Sequence, residues 1–140
     1  MKNFSQIPLL RPALAAAMAA LALAGCATPG SAAPEQQVQE RATLFWKART
    51  SADPKTAYSL LTPAYRDLRN EQDFTRQFGP SAPVMRSEVA KVTCEPEKCT
   101  VRMALTAKPS VPGLSLPVVT AYMDETWLLV DGQWWRHEEP

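Results

Sequence analysis

Few side chains in this 140-residue sequence stand where chemistry could be done, and Glu125 is the sharpest of them. It lies in the long strand-like run Val118–Val130, whose alternate members Val119, Ala121, Met123, Trp127 and Leu129 are apolar. Strand alternation puts these residues and Glu125 on one face. A carboxylate held between Met123 and Trp127, away from water, is placed to serve as a general acid or base. The structural alternative is equally concrete. If Asp131-Gly132 forms a two-residue turn, Trp127 faces Arg136 and Glu125 faces Glu138. Arg136 then stands diagonal to Glu125, within reach of an ion pair, and could also stack on Trp127. The sequence leaves both readings open.

The other reactive groups form no constellation. Asp124-Glu125 and Glu138-Glu139 are neighbours on extended chain, so each pair points to opposite faces. His137 is the only histidine and falls opposite Thr126, with no nucleophile fixed beside it. Tyr58 and Tyr65 could line a pocket mouth or simply pack half-buried. The expected pocket set is Trp46, Tyr58, Met123, Glu125, Trp127 and Arg136. On the outer sheet face, Tyr122, Leu128 and Trp135, with Val118, form a candidate protein-contact patch, Trp135 being exposed unless something covers it. Lys91 and Arg102 are expected opposite one another, as a site for an anionic partner or as a solvated pair. No Gly-rich phosphate loop, G-x-S-x-G elbow or metal-ligand cluster is present, so neither cofactor nor metal is expected.

The N-terminus has the tripartite layout of a bacterial export signal. Lys2 and Arg11 supply positive charge, and Ala13–Leu23 is an apolar run of eleven residues. That is short of the roughly 20 residues a membrane-spanning helix needs. Leu23-Ala24-Gly25-Cys26 resembles the lipobox of bacterial lipoproteins, in which residues 1–25 are removed and Cys26 is lipidated as the new N-terminus. Ala22-Leu23-Ala24 also fits ordinary signal-peptidase cleavage and soluble secretion. Ala27, rather than Asp, after the cysteine favours anchoring at the outer membrane with the domain facing the periplasm, and leaves inner-membrane anchoring as the alternative. Residues 26–37 comprise the lipidated cysteine and a small, polar, Pro-containing tether whose eleven residues reach at most roughly 35–40 Å. A single domain, 38–140, follows. No acidic residue lies in the leader, so the mature chain carries thirteen basic against fourteen acidic residues. That balance excludes nucleic-acid binding driven by bulk charge.

With Cys26 assigned to lipid, Cys94 and Cys99 remain as a pair in an oxidising compartment. Glu88–Cys94 and Cys99–Leu105 alternate around Glu95–Lys98, so a hairpin would set Cys94 opposite Cys99, Val92 opposite Val101, and Ala90 opposite Met103. The C-x4-C spacing is that of neither a redox nor a zinc motif.

The elements that must position these groups fall in two blocks. Val38, Ala42, Phe45, Trp46 and Arg49 recur at helical spacing in a first helix from Pro34 to about Thr50. Asp53-Pro54, Thr62-Pro63 and Asn70 with Asp73 three residues on each announce a further short helix, and Gly79-Pro80 ends the last. Beyond Pro83 the period changes to two. A disulfide hairpin is followed by a Pro-rich loop, Lys108–Pro117, then by Val118–Val130, the Asp131-Gly132 turn and a returning strand Gln133–His137. Helices first and four antiparallel strands second make an α+β domain, with the helices covering one face of a curved sheet.

Phe45-Trp46-Lys47-Ala48-Arg49, Asp53-Pro54, Ala57–Pro63, Phe74 and Phe78, and the closing Glu125–Trp134 together resemble the nuclear-transport-factor-2-like superfamily, which includes ketosteroid isomerases and polyketide cyclases. The likeness covers residues 35–138. It implies a cone, in which a strongly bent sheet wraps a long first helix with a pocket between them. The superfamily hosts enzymes, small-ligand binders and interaction modules, many of which dimerise through the sheet. None of the matching patterns is a catalytic signature. The expected function is a non-catalytic envelope lipoprotein acting as a protein-interaction or self-associating module. The alternatives are a binder of a small apolar ligand in the cone and an isomerase or cyclase using Glu125.

Overall fold

The computed structural model describes residues 32–140; the leader, Cys26 and residues 27–31 of the tether lie outside the described residues. Four helices come first: α1 (Pro34–Thr50), α2 (Pro54–Ser59), α3 (Pro63–Leu68) and α4 (Glu71–Phe78). Six strands follow: β1 (Arg86–Cys94), β2 (Lys98–Ala107), β3 (Ser110–Val111), β4 (Leu114–Ser115), β5 (Val119–Val130) and β6 (Gln133–Arg136). Each of the last three helices is closed by the cap its sequence announces. Asp53 accepts from the Thr56 amide at 3.0 Å and Thr62 from the Tyr65 amide at 3.3 Å. Asn70 and Asp73 form a reciprocal capping box. α1 begins with Pro34 in its first turn, where the missing amide is not needed, and so takes in the last four residues, 34–37, of the expected tether.

β1, β2, β5 and β6 form one antiparallel sheet in that order. Cys94 faces Cys99 and is bonded to it, Val92 faces Val101, and Lys91 faces Arg102. The ladder shifts between Val89 and Lys91, so Met103 faces Val89 and not Ala90. One extra residue on β1 restores a half-buried valine to the inner face, as a bulge does. The Pro-rich loop is also more ordered than expected, since β3 and β4 pair within it as a two-stranded ribbon. Asp131 and Gly132 take positive φ values of 51° and 75°, the geometry of a tight hairpin turn that matches strand twist.

Val38, Ala42, Phe45 and Trp46 of α1 pack with Val101, Met103, Trp127 and Trp134 on the inner sheet face. Leu60, Leu61, Tyr65 and Phe74 close this core from the shorter helices. The chain between α2 and α3 also shields the β6 edge. Leu61 bridges to Arg136, the Arg136 amide donates to the Leu60 carbonyl at 2.9 Å, and the Thr62 amide donates to the Arg136 carbonyl at 3.0 Å. Helix cover reaches only part of the sheet: β5 is buried or half-buried from Glu125 onward and exposed from Val119 to Asp124.

Candidate functional site

A cavity of about 210 Å³ lies between α1, α4 and the sheet, walled by Phe45, Trp46, Arg49, Phe74, Phe78, Ala82, Met123, Arg136 and Glu138. Its polar end is built from three elements. Oε1 of Glu125 accepts from the Trp46 indole N–H at 2.8 Å and from Arg136 Nε at 3.2 Å. Arg136 Nη1 donates in turn to Glu138, and the guanidinium lies 4.4 Å from the Phe45 ring centroid. Arg49 continues the buried stripe of α1 one turn beyond Trp46. Its two amino groups donate to the carbonyls of Gly79 and Phe78, at 2.8 and 2.6 Å, and its guanidinium rests 5.4 Å from the Phe74 ring. Burial, assisted by the positive charge of Arg136, holds the Arg49 pKa below the usual arginine value.

Glu125 is inside the molecule and is also ion-paired, which joins the two sequence readings of its position. Its side chain is about 1% exposed and is not part of the cavity wall. Trp46 and Arg136 line the wall and take its carboxylate from behind. Oε2 is buried without a hydrogen-bond partner. The arrangement therefore turns an indole and a guanidinium toward the cavity and keeps the Glu125 carboxyl behind them; the carboxyl on the wall itself is that of Glu138, paired with Arg136.

The other expected pocket residues divide. Trp46, Met123 and Arg136 line the cavity, whereas Trp127 is fully buried beneath it and lines nothing. Tyr58 turns away: its hydroxyl donates to the carbonyls of Arg66 and Arg69, tying α2 to the α3–α4 junction. The expected outer patch also divides. Tyr122 is 61% exposed, with the Arg102 guanidinium 5.6 Å from its ring. Leu128 is half-buried beside α3, and Trp135 is half-buried with the guanidiniums of Arg41 and Arg66 each 5.0 Å from its ring centroid. Strand alternation placed all three on one face but could not show that α1 and α3 reach round to cover two of them.

Arg49 and Glu138 are cavity residues that sequence reasoning did not assign to the site. The signal for Arg49 was present, as a cation in the apolar stripe of α1. Glu138 was weighed only as the residue facing Glu125 and as half of the Glu138-Glu139 pair. Lys91 and Arg102 are laddered as expected, and Arg102 reaches Asp124 at 3.9 Å. His137 sits 3.4 Å from Glu139. Among the described residues, no group of three or more His, Cys, Asp or Glu side chains converges as metal ligands would.

No protein-family model matches the sequence, and no curated protein matches it at a significant level. Solved structures do. TsrD from Streptomyces laurentii aligns with a TM-score of 0.53 at 17% identity, over 76% of this chain and 87% of its own. A SEC-C motif protein from Rhodopseudomonas palustris aligns with a TM-score of 0.51 at 15% identity, over 75% of each chain. A candidate dehydratase of the nuclear-transport-factor-2-like family from Streptomyces avermitilis aligns with a TM-score of 0.48 at 15% identity, over 73% of this chain and 92% of its own. A long first helix packs against a four-stranded antiparallel sheet with a cavity between them, the α+β arrangement that the sequence's resemblance implied. The likeness to TsrD and to the SEC-C motif protein is one of fold alone.

Proposed function

We propose that the protein is a lipoprotein of the bacterial outer membrane, anchored at Cys26 with its domain facing the periplasm. In this reading it works without catalysis, by associating with a second copy of itself through the uncovered end of its sheet. The observation that carries the reading is the apolar character of both faces of β5 where no helix lies over it. Val119 is exposed on one face and Val118 and Tyr122 on the other, Met123 marks where the helix-walled cavity begins, and Val111 and Leu114 of the ribbon are also exposed. An isologous contact requires a patch that complements itself. Arg102 and Asp124 supply the charge pattern: laddered opposite one another beside Tyr122, they are only 3.9 Å apart at closest, and a two-fold operation can set each against its opposite in the second copy. Tethering both copies to one membrane raises their effective concentration.

Two measurements test this. Metabolic labelling with palmitate should mark the wild type and not Cys26→Ala. Sedimentation equilibrium of residues 27–140 should show a concentration-dependent dimer, weakened about tenfold or more by Tyr122→Glu, which places a charge in the contact. A wild type that stays monomeric at every concentration would refute the self-association reading.

The cavity between α1, α4 and the sheet favours a second reading, in which a small apolar molecule sits among Phe45, Phe74, Phe78 and Met123. Filling it with Ala82→Trp would abolish such binding and leave dimerisation intact. Glu125 is a positioning residue in either case.

A further inference from the structure

Arg41 is half-buried on α1 and makes no hydrogen bond or ion pair with any described residue; its Nε is buried without a partner. Arg66 on α3 uses only its Nε, which donates to the Leu61 carbonyl at 3.2 Å. Both guanidinium carbons lie 5.0 Å from the centroid of the Trp135 ring. Two guanidiniums thus lie against one indole, and among the described residues neither has a carboxylate partner. A half-buried guanidinium whose N–H groups lack acceptors is unfavourable unless an anion meets it. The planar fork of arginine suits carboxylate and phosphate oxygens.

A second feature adjoins this pair. A second cavity, of about 250 Å³ with an almost wholly apolar wall, opens between α3 and the outer face of β5. Leu128 and Val130 line it. Leu128 is the ladder partner of Trp135, and the Val130 carbonyl accepts the Trp135 indole N–H at 3.2 Å, so the cavity abuts the ring against which the arginines lie. Ala64 and Leu68 of α3 form the facing wall, and Leu68 is 68% exposed, large for a leucine beside a cavity. Glu138 stands at the rim, held by Arg136, and His137 stands beside it, near Glu139.

We propose that the junction of α1, α3 and β6 binds an anionic amphiphile, with its carboxylate or phosphate head taken by the unpaired guanidiniums beside Trp135 and its alkyl portion in the cavity lined by Ala64, Leu68, Leu128 and Val130. The site is distinct from the self-associating sheet end, and it meets the cavity between α1, α4 and the sheet only at Glu138. Such a ligand could come from a free fatty acid or from a phospholipid in the membrane, which share this chemistry.

The test is a titration of residues 27–140 with decanoate below its micelle concentration, followed by amide chemical shifts. Decanoate should perturb α3, β6 and the Leu128–Val130 segment, while decanol and inorganic phosphate, each lacking one half of the ligand, should bind at least about tenfold more weakly. Arg41→Gln with Arg66→Gln should weaken decanoate to the level of decanol, and Ala64→Phe should block it with the arginines intact. Co-sedimentation with phosphatidylglycerol and with phosphatidylcholine vesicles separates the sources. Retention on the former alone, lost in the double arginine variant, identifies the membrane headgroup; decanoate binding without retention identifies the free amphiphile; either supports the site. Binding in neither arm overturns the proposal. So does equal binding of decanol and decanoate by the wild type, a comparison that needs no variant to fold.

Discussion

Oε1 of Glu125 holds a donor from α1 and a donor from β6, and the consequences of that geometry can be measured. Arg136→Met would leave the carboxylate buried with only the Trp46 indole to satisfy it. Breaking a buried pair in this way costs about 3–5 kcal/mol. Glu125→Leu combined with Arg136→Met removes both charges, and its loss in urea unfolding should be smaller than that of the single variant, although the Trp46 N–H then lacks its acceptor. Equal losses would mean that the packing of Arg136 on Phe45 matters more than the pairing. The diagonal placement of Arg136 was legible because Asp131-Gly132 fixes the register of two adjacent strands. The Trp46 hydrogen bond was not, because it joins residues 79 apart in sequence and depends on how α1 seats against the sheet. The same limit explains Trp135: alternation gives its face, and the arginines that cover it come from two helices whose positions alternation does not encode.

At the scale of elements, local chemistry was the readable part. The caps at Asp53, Thr62 and Asn70 form as their spacing announces, because a side-chain oxygen and an orphan amide three residues on need no tertiary information to meet. Two of these caps set a pH dependence. Hydrogen bonds from Thr56 hold the Asp53 carboxyl below its usual pKa, and hydrogen bonds from Arg76 and from the Asn70 amide do the same for Asp73. A depressed folded pKa contributes stability that is fully present above the unfolded value, about 4, and is lost as pH falls through the lower folded values. Thermal midpoints should therefore decline on acidification below about pH 4. Asp53→Asn with Asp73→Asn, which keeps both cap acceptors, should flatten that decline; an unchanged slope would assign it to other carboxylates. Asn70→Ala should cost about 1 kcal/mol at neutral pH. What the sequence did not show is the bulge at Ala90, since the apolar pattern of β1 fits an unbroken strand until α1 demands Val89 on its side. The start of α1 at Pro34 was likewise masked by tether-like composition.

Over the whole molecule, the helices stop short of the sheet, and this unequal cover is what makes the far end of β5 both open and apolar. Stability should follow the same division. Backbone hydrogen bonds at Trp127 and Leu129 lie in the packed core, so their exchange requires near-global unfolding. Those of Thr120–Asp124 pair with β2 but have exposed side chains on both faces, so local opening should release them far more easily. If a second copy covers this end, its protection must depend on protein concentration. Amide exchange should slow at Thr120–Asp124, and in the facing part of β2 from Arg102 to Thr106, as the concentration rises through the dimer dissociation constant. Trp127 and Leu129 should not change. Tyr122→Glu should hold the distal amides at their dilute-solution rates throughout. Slow exchange at the distal end that is independent of concentration would show that β2 and β1 stabilise it without a partner, and the exposed valines and Tyr122 would then need no second copy to account for them.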